Sequence, residues 1–444
     1  MKKRVGLVAL LAIAGVIAAI AMSLASQSAS AQQAPDPTSG HLVVSGLVEP
    51  RGMAIGPDGM IYVAEAGTGG DMAVGTGDNA SKSGFTGRIS KVDPATGART
   101  TIADKLPSNV GGEGDAVGPA AVAFLGNQLY YVQTHAGTAY GFPATTPTGV
   151  YKVNSDGTVT LIADLGAFNI ANPVNDIKNG TQQDIEIGGN PYGMVARDGA
   201  LWISDGNQNQ VDKVTPAGAI TRITEFPGHP VTTGIAYKDG GPFFVGTLGQ
   251  FPFNASDGTI RQVGYPSGSM TTVASGISSI TGLAFGPDGN LYMVNFGDQT
   301  ADPFSDPIPW TPFSGKLYRV NLATNTFTPL VANFFTTTAI VFKGDTAYIA
   351  NFGIEAPGLL PPGEIWAVDN VSTLPALAVS PTAVPASPTT APAAATATPA
   401  TGVTAPNTGT GPDGGSSSFT WAIALAGALG ALALGAGIVR RRTR

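Results

Sequence analysis

The chain contains no cysteine in its 444 residues. That excludes disulfide staples, thiol nucleophiles and thiolate metal sites. Charge is thin, at 12% of residues, and histidine is limited to His41, His135 and His229. No Ser-His-Asp set stands in a nucleophile-elbow context. The glycine-rich stretch 67–77 lacks the Gly-Lys-Ser/Thr ending and following helix of a phosphate loop. Basic residues are few and badly placed for nucleic acid. Seven of the 23 Lys and Arg sit at the extreme ends, leaving 16 against 30 acids, a balance of −14. A surface of that sign repels phosphate, so nucleic acid is not expected as a partner.

What the chain does have is a repeat. Gly52-Met53-Ala54-Ile55, the turn Gly56-Pro57-Asp58-Gly59 and the run Ile61-Tyr62-Val63-Ala64 read as a first strand, a tight turn and a second strand. Arg88-Ile89-Ser90-Lys91-Val92 and Arg99-Thr100-Thr101-Ile102-Ala103 supply a third and a fourth. The unit returns five more times; its first strand reappears as Gly193-Met194-Val195-Ala196 and Gly282-Leu283-Ala284-Phe285, for example. Four short strands per unit predict a propeller blade. Small residues in every first strand place that strand nearest the axis, where backbones crowd. Tyr62, Tyr130, Trp202, Tyr292 and Tyr348 share one repeat position and read as packing between blades.

The sixth unit lacks its outer strand, and a spare strand, His41-Leu42-Val43-Val44-Ser45, precedes the first. The expected fold is therefore an all-β six-bladed propeller over 41–369, closed by its N-terminal strand and stable without disulfides. Residues 1–31 have a basic start, an apolar run and Ala29-Ser30-Ala31, as in a cleaved export signal; an uncleaved anchor helix is the alternative. Residues 370–418 form a Pro/Ala/Thr-rich stalk too poor in apolar side chains to fold. An apolar run at 419–439 is long enough to span a bilayer, and the basic tail 440–444 would stay in the cytoplasm.

The segment Ala405-Pro406-Asn407-Thr408-Gly409 (405–409), followed by that apolar run and the arginines, resembles the sorting signal of sortase substrates, with Ala405 where Leu is usual. That resemblance implies cleavage after Thr408 and attachment to a cell wall; a plain membrane anchor is the alternative. Either way the expected location is extracytoplasmic, at the cell surface, as a monomeric propeller. Asn190-Pro191-Tyr192-Gly193-Met194, Leu201-Trp202-Ile203-Ser204-Asp205-Gly206-Asn207 and Val245-Gly246-Thr247-Leu248-Gly249-Gln250 resemble exported propellers of the ScyD/ScyE type, related in pattern to NHL repeats. The resemblance covers about 41–369 and implies fold and location. It carries no catalytic residues over.

Loop lengths point to one face. The connections 66–87, 134–149 and 295–315 after second strands, and 106–119 and 166–190 between blades, are long and fall on the same side. Binding is expected there, over the central channel. Glu49, Asn190 and His229 each precede a proline ahead of an inner strand. Glu65, His135, Asp205, Asn295 and Asn351 follow second strands closely. An oxygen-rich ring of Glu49, Asn190, His229, Glu65 and Asp205 is the candidate metal site, with Ca2+ as the ion; turn-capping roles are the alternative. Two functions stay open. One is a surface-displayed module that binds an extracellular ligand or protein through the long-loop face. The other is a metal-dependent hydrolase or lyase of the lactonase-like six-bladed type, with its site at the channel.

Overall fold

The computed structural model describes residues 35–76, 80–111, 116–182, 186, 188–238, 240–250, 253–299, 310–354 and 361–378. Six antiparallel sheets succeed one another along the chain. Blade 1 opens with Pro50–Ile55 and Ile61–Glu65, and blade 2 with Pro119–Leu125 and Gln128–Gln133. Blade 3 consists of Pro191–Arg197, Ala200–Asp205, Gln210–Val214 and Ile220–Glu225. Blades 4, 5 and 6 begin at Thr232–Tyr237, Ile280–Phe285 and Ala339–Lys343. Within each blade the strands run inside to outside in chain order, and blade 6 takes its outermost strand from the N-terminal end.

That closure has the expected register. His41–Leu47 pairs antiparallel with Gly363–Val368, His41 opposite Ala367 and Leu47 opposite Gly363. Leu47 is fully buried, among Met53 and Val63 of blade 1 and Ile365 of blade 6. One strand thus covers the edge of blade 6 and fills the seam to blade 1. The small inner residues are required by close approach. A Cβ on Gly52 would lie 2.8 Å from the Cα of Ala121, and one on Gly234 would lie 2.9 Å from the nitrogen of Leu283. Neighbouring inner strands meet backbone to backbone at these points. The shared aromatic position packs the seams as expected: Tyr130 between blades 2 and 3, Trp202 between 3 and 4, Tyr292 between 5 and 6, Tyr348 between 6 and 1.

The long connections differ from the sequence reading. Much of 66–87 and 106–119 is strand: Met72–Val74, Ser81–Val92, Arg99–Val110 and Ala116–Val117 form an outgrowth of blade 1. Register shifts between Gly84, Gly87 and Ile89 let the strand bend out of its blade. Those glycines are what made the stretch resemble loop. The connection 166–190 carries two short helices, Leu165–Ala171 and Asn175–Lys178. Asp164 starts the first, its Oδ1 accepting the Ala167 N–H at 2.7 Å.

The folded part extends past 41–369 at both ends. Asp36 and Thr38 hydrogen-bond to Asn333 and Ala332 on the outer strand of blade 5. Val371–Thr373 forms a short 3-10 turn held by Asp345, whose carboxylate accepts from the Ser372 N–H (3.0 Å) and hydroxyl (2.6 Å). Arg319 donates to the Ser372 carbonyl, and the Leu377 N–H reaches the Pro329 carbonyl. Asp345 sits in the turn between the first two strands of blade 6, so the chain leaves on the short-turn side. The export signal, the sorting-like motif and the apolar C-terminal run lie outside the described residues. Among the described residues no helix is long and apolar enough to cross a membrane.

Candidate functional site

Each second strand ends in a polar residue that is buried: Glu65, Gln133, Asp205, Thr247, Asn295 and Asn351. The loops beyond leave backbone N–H and C=O groups without strand partners, and these must be paired when buried. The strand-end side chains pair them. Glu65 Oε2 accepts the Val48 N–H at 2.7 Å, Asn295 Oδ1 the Lys316 N–H at 2.8 Å and Asn351 Oδ1 the Phe335 N–H at 2.9 Å. Asp205 Oδ1 accepts three, from Asn190 (2.9 Å), Asn207 (3.1 Å) and Gln208 (2.8 Å). The recurrent polar position fastens the loops. Asn351→Ala should leave the Phe335 amide unpaired and lower stability by about 1.5 kcal/mol in denaturant melts.

The other candidate ligands are also engaged. Glu49, at a left-handed φ of 48°, forms an ion pair with Arg51 at 2.9 Å and accepts from the Ala116 N–H at 3.0 Å. Glu65 meets Arg88 at 3.0 Å and takes the Ser90 hydroxyl. Asn190 Oδ1 accepts from Thr134, 3.1 Å away. His229 Nδ1 lies 3.1 Å from Gln182 Oε1, with Asp176 at 3.8 Å from its Nε2. Asn190 and Asp205 come together; Glu49 lies beside Glu65 through an Ala66–Glu49 backbone bond; His229 stands apart. None of the five lines the axis, which corrects the expectation of an oxygen ring there. Among the described residues no three of His, Cys, Asp and Glu gather closely enough to hold an ion. A calcium cage of the lactonase-like kind therefore has no fit at the axis.

The channel itself has a volume of about 440 Å³ and is walled by the inner strands, with Gly52, Ala121, Met194, Gly234 and Leu283 on its surface. Its long-loop end is crossed by one side chain. Tyr192 reaches from blade 3 to blade 6, its hydroxyl donating to the Thr338 carbonyl at 3.4 Å. Burial pushes the Tyr192 phenol well up, and the nearby Arg51 charge opposes this only in part. Thr281 and Thr338 are buried at that end, whereas Phe285 and Phe342 at the other are only half-buried. The described lining is thus more accessible toward the short-turn face than toward the long-loop face.

The long-loop face has its own cleft off the axis, of about 240 Å³, between the blade 2 loop and the helix Leu165–Ala171. Ala136, Ala139, Thr148, Ala167 and Gly188 line it, with Asp164 as the charged member. Behind it, His135 Nε2 lies 2.9 Å from Glu186 Oε2, and the His135 ring stacks on Tyr140 at 4.5 Å.

Deeper, between blades 2 and 3, lies a polar seam that sequence reasoning missed. Asn169 Nδ2 is 3.3 Å from Asp205 Oδ2; Gln210 Nε2 donates to Asn169 Oδ1 at 2.8 Å and to Asp212 Oδ2 at 2.6 Å. Asp205 and Asp212 are each 1% exposed. Burial pushes the Asp205 carboxyl up to about 6, against the pull of its N–H donors. Burial and then the Asp205 charge push Asp212 up to about 7, with Arg222 and Gln210 opposing. A comparison of repeats held the signal: the position of Asp212 is Ser90, Tyr151, Arg261, Tyr318 and Trp366 in the other blades. It is a packing position, and Asp212 is the one carboxylate among the six.

No protein-family model and no curated protein matches the chain. Solved structures with a similar course include the PQQ-bound aldose sugar dehydrogenase of Streptomyces coelicolor, at 16% identity over 75% of this chain and 98% of that one, TM-score 0.46. Virginiamycin B lyase of Staphylococcus aureus matches at 14% over 75% and 98%, TM-score 0.39. A gluconolactonase of Xanthomonas campestris matches at 12% over 76% and 98%, TM-score 0.39. At these values the likeness goes no further than the propeller architecture, which the sheet order establishes independently.

Proposed function

We propose that the protein is a surface-displayed propeller of the exported ScyD/ScyE type that binds an extracellular ligand or wall component through its long-loop face. One observation carries the reading. The C-terminal segment is fastened to the short-turn side by Asp345, Arg319 and Pro329, so a stalk continuing from it leaves the long-loop face turned outward. The cleft beside Leu165–Ala171 opens on that outward face. Its lining is small and nearly uncharged, which suits a neutral group the size of one sugar ring or one side chain. Wall attachment through 405–409, or membrane anchoring through 419–439, would supply the tether. The hydrolase or lyase reading would need three metal ligands converging on the channel, and the described lining has no carboxylate or imidazole.

Ala139 is exposed on the cleft rim and points to a direct test. Ala139→Arg should weaken retention of the purified protein on isolated cell walls by about tenfold, roughly 1.4 kcal/mol, with an unchanged melting temperature. Equal retention of the variant, or no retention of the parent on any wall fraction, would count against this face.

A further inference from the structure

Unpaired polar atoms are not spread evenly through this protein. Among the described residues, four of the seven buried side-chain oxygens without a hydrogen-bond partner belong to Glu186, Gln208, Gln210 and Asp212, at the junction of blades 2 and 3. Gln208, Gln210 and Asp212 are 3%, 0% and 1% exposed. The orientation of Gln210 is fixed by its neighbours, because its Nε2 lies against two acceptors, Asn169 Oδ1 and Asp212 Oδ2. Its Oε1 is left with no donor. The same holds for Asp212 Oδ1.

The packing beside them is tight enough to require glycine. Gly189 adopts φ +82°, and a Cβ there would lie 2.3 Å from Asp205 Oδ2, 2.7 Å from Asn169 Nδ2 and 2.9 Å from Gln208 Cγ. The seam thus combines two buried carboxylates with an excess of acceptor oxygens. One cation, Arg222, faces Asp212 across the strand pair; its Nη1 is taken by Glu225, its Nη2 by the Asn172 carbonyl, and only its buried Nε is left, so one shared guanidinium stands against two buried carboxylates. A buried negative charge without a matching positive one is costly. A water molecule brings two donors and no charge, so it would answer only part of the deficit.

We propose that this seam binds a hard divalent cation, calcium in the first instance, through Asp205, Asp212 and the amide oxygens of Gln208 and Gln210, with water completing the shell. Calcium accepts six to eight oxygens from carboxylates, amides and water, so two carboxylates suffice where amide oxygens complete the set. The site is off the axis and shares only Asp205 with the ring expected from the sequence. Its role is to tie blade 3 to the helix Leu165–Ala171, which bears Asn169 and one wall of the cleft.

The test uses the full chain, treated with chelator and dialysed. Adding 1 mM CaCl2 should raise the melting temperature by about 5 °C, and metal analysis of untreated protein should find about one equivalent of divalent ion. Asp212→Asn and Gln208→Met should each abolish the calcium-induced shift. Gln208→Met removes one oxygen and no charge, so it decides the matter if Asp212→Asn fails to fold. No bound metal together with no shift in Ca2+, Mg2+ or Mn2+ would overturn the proposal. So would a full shift retained in both variants, which would place the ion elsewhere.

Discussion

A chain beginning at residue 48 loses the sharp melting transition of the intact ring. It lacks His41–Leu47, and Gly363–Val368 becomes an open edge with unpaired N–H and C=O groups. The seam between blades 6 and 1 loses Leu47, together with the cover that Val43 and Val44 give Ile365 and Ala367. Leu47→Ala alone should cost about 3 kcal/mol. Removing the whole strand takes away several such contributions from a total stability of about 5–15 kcal/mol. Circular dichroism should show a broad, early melt, and gel filtration should show association through the exposed edge. Added peptide 35–47 should restore the transition. A truncated chain that stays monomeric and melts like the parent would remove the ring-closing role of this strand.

The second large effect concerns the blade 2–3 seam under metal-free conditions. Asp205 and Asp212 titrate near 6 and 7 in the folded protein, against 3.8 ordinarily. The folded state therefore holds protons that the unfolded state has released. Stability is greatest below about pH 4 for these two groups, falls as pH rises through 6 and 7, and stays low above that. Replacing Asp212 by Asn removes the charge and supplies an N–H that can serve the unpaired Gln210 Oε1. In chelator at pH 8, Asp212→Asn should raise unfolding free energy by about 4 kcal/mol, from roughly three units at 1.36 kcal/mol each. Below about pH 4 the gain should nearly vanish, because Asp212 is then protonated in the folded and the unfolded state alike. Urea melts at the two pH values measure both terms. A variant less stable than the parent at pH 8 would mean that the seam does not carry an uncompensated charge.

The blades and their closure were legible because they depend on period and composition. Alternating short strands, Pro-Asp-Gly turns and a Gly or Ala in each inner strand encode the ring directly, and the spare strand at 41–45 completed the count. The blade 1 outgrowth was not legible, since Gly84 and Gly87 read as loop although they mark bulges in a continuing strand. The candidate ligands were placed near the right face but given the wrong outlook. Whether Asp205 aims at an axis or at the amides of Asn190, Asn207 and Gln208 depends on how the loop backbone turns, which no spacing reports. Asp212 escaped because each blade was read for resemblance to its siblings. The position where one blade departs from the others carries the chemistry.

Both ends of the folded part rest on blade 5, through Asn333 and Ala332 on one side and Pro329 and Arg319 on the other. Tension applied beyond residue 378 meets these bonds and the Asp345 clasp before it reaches the sheet that the two termini share. The load runs along the rim and not across the closing joint, so a pull there does not unzip the circle.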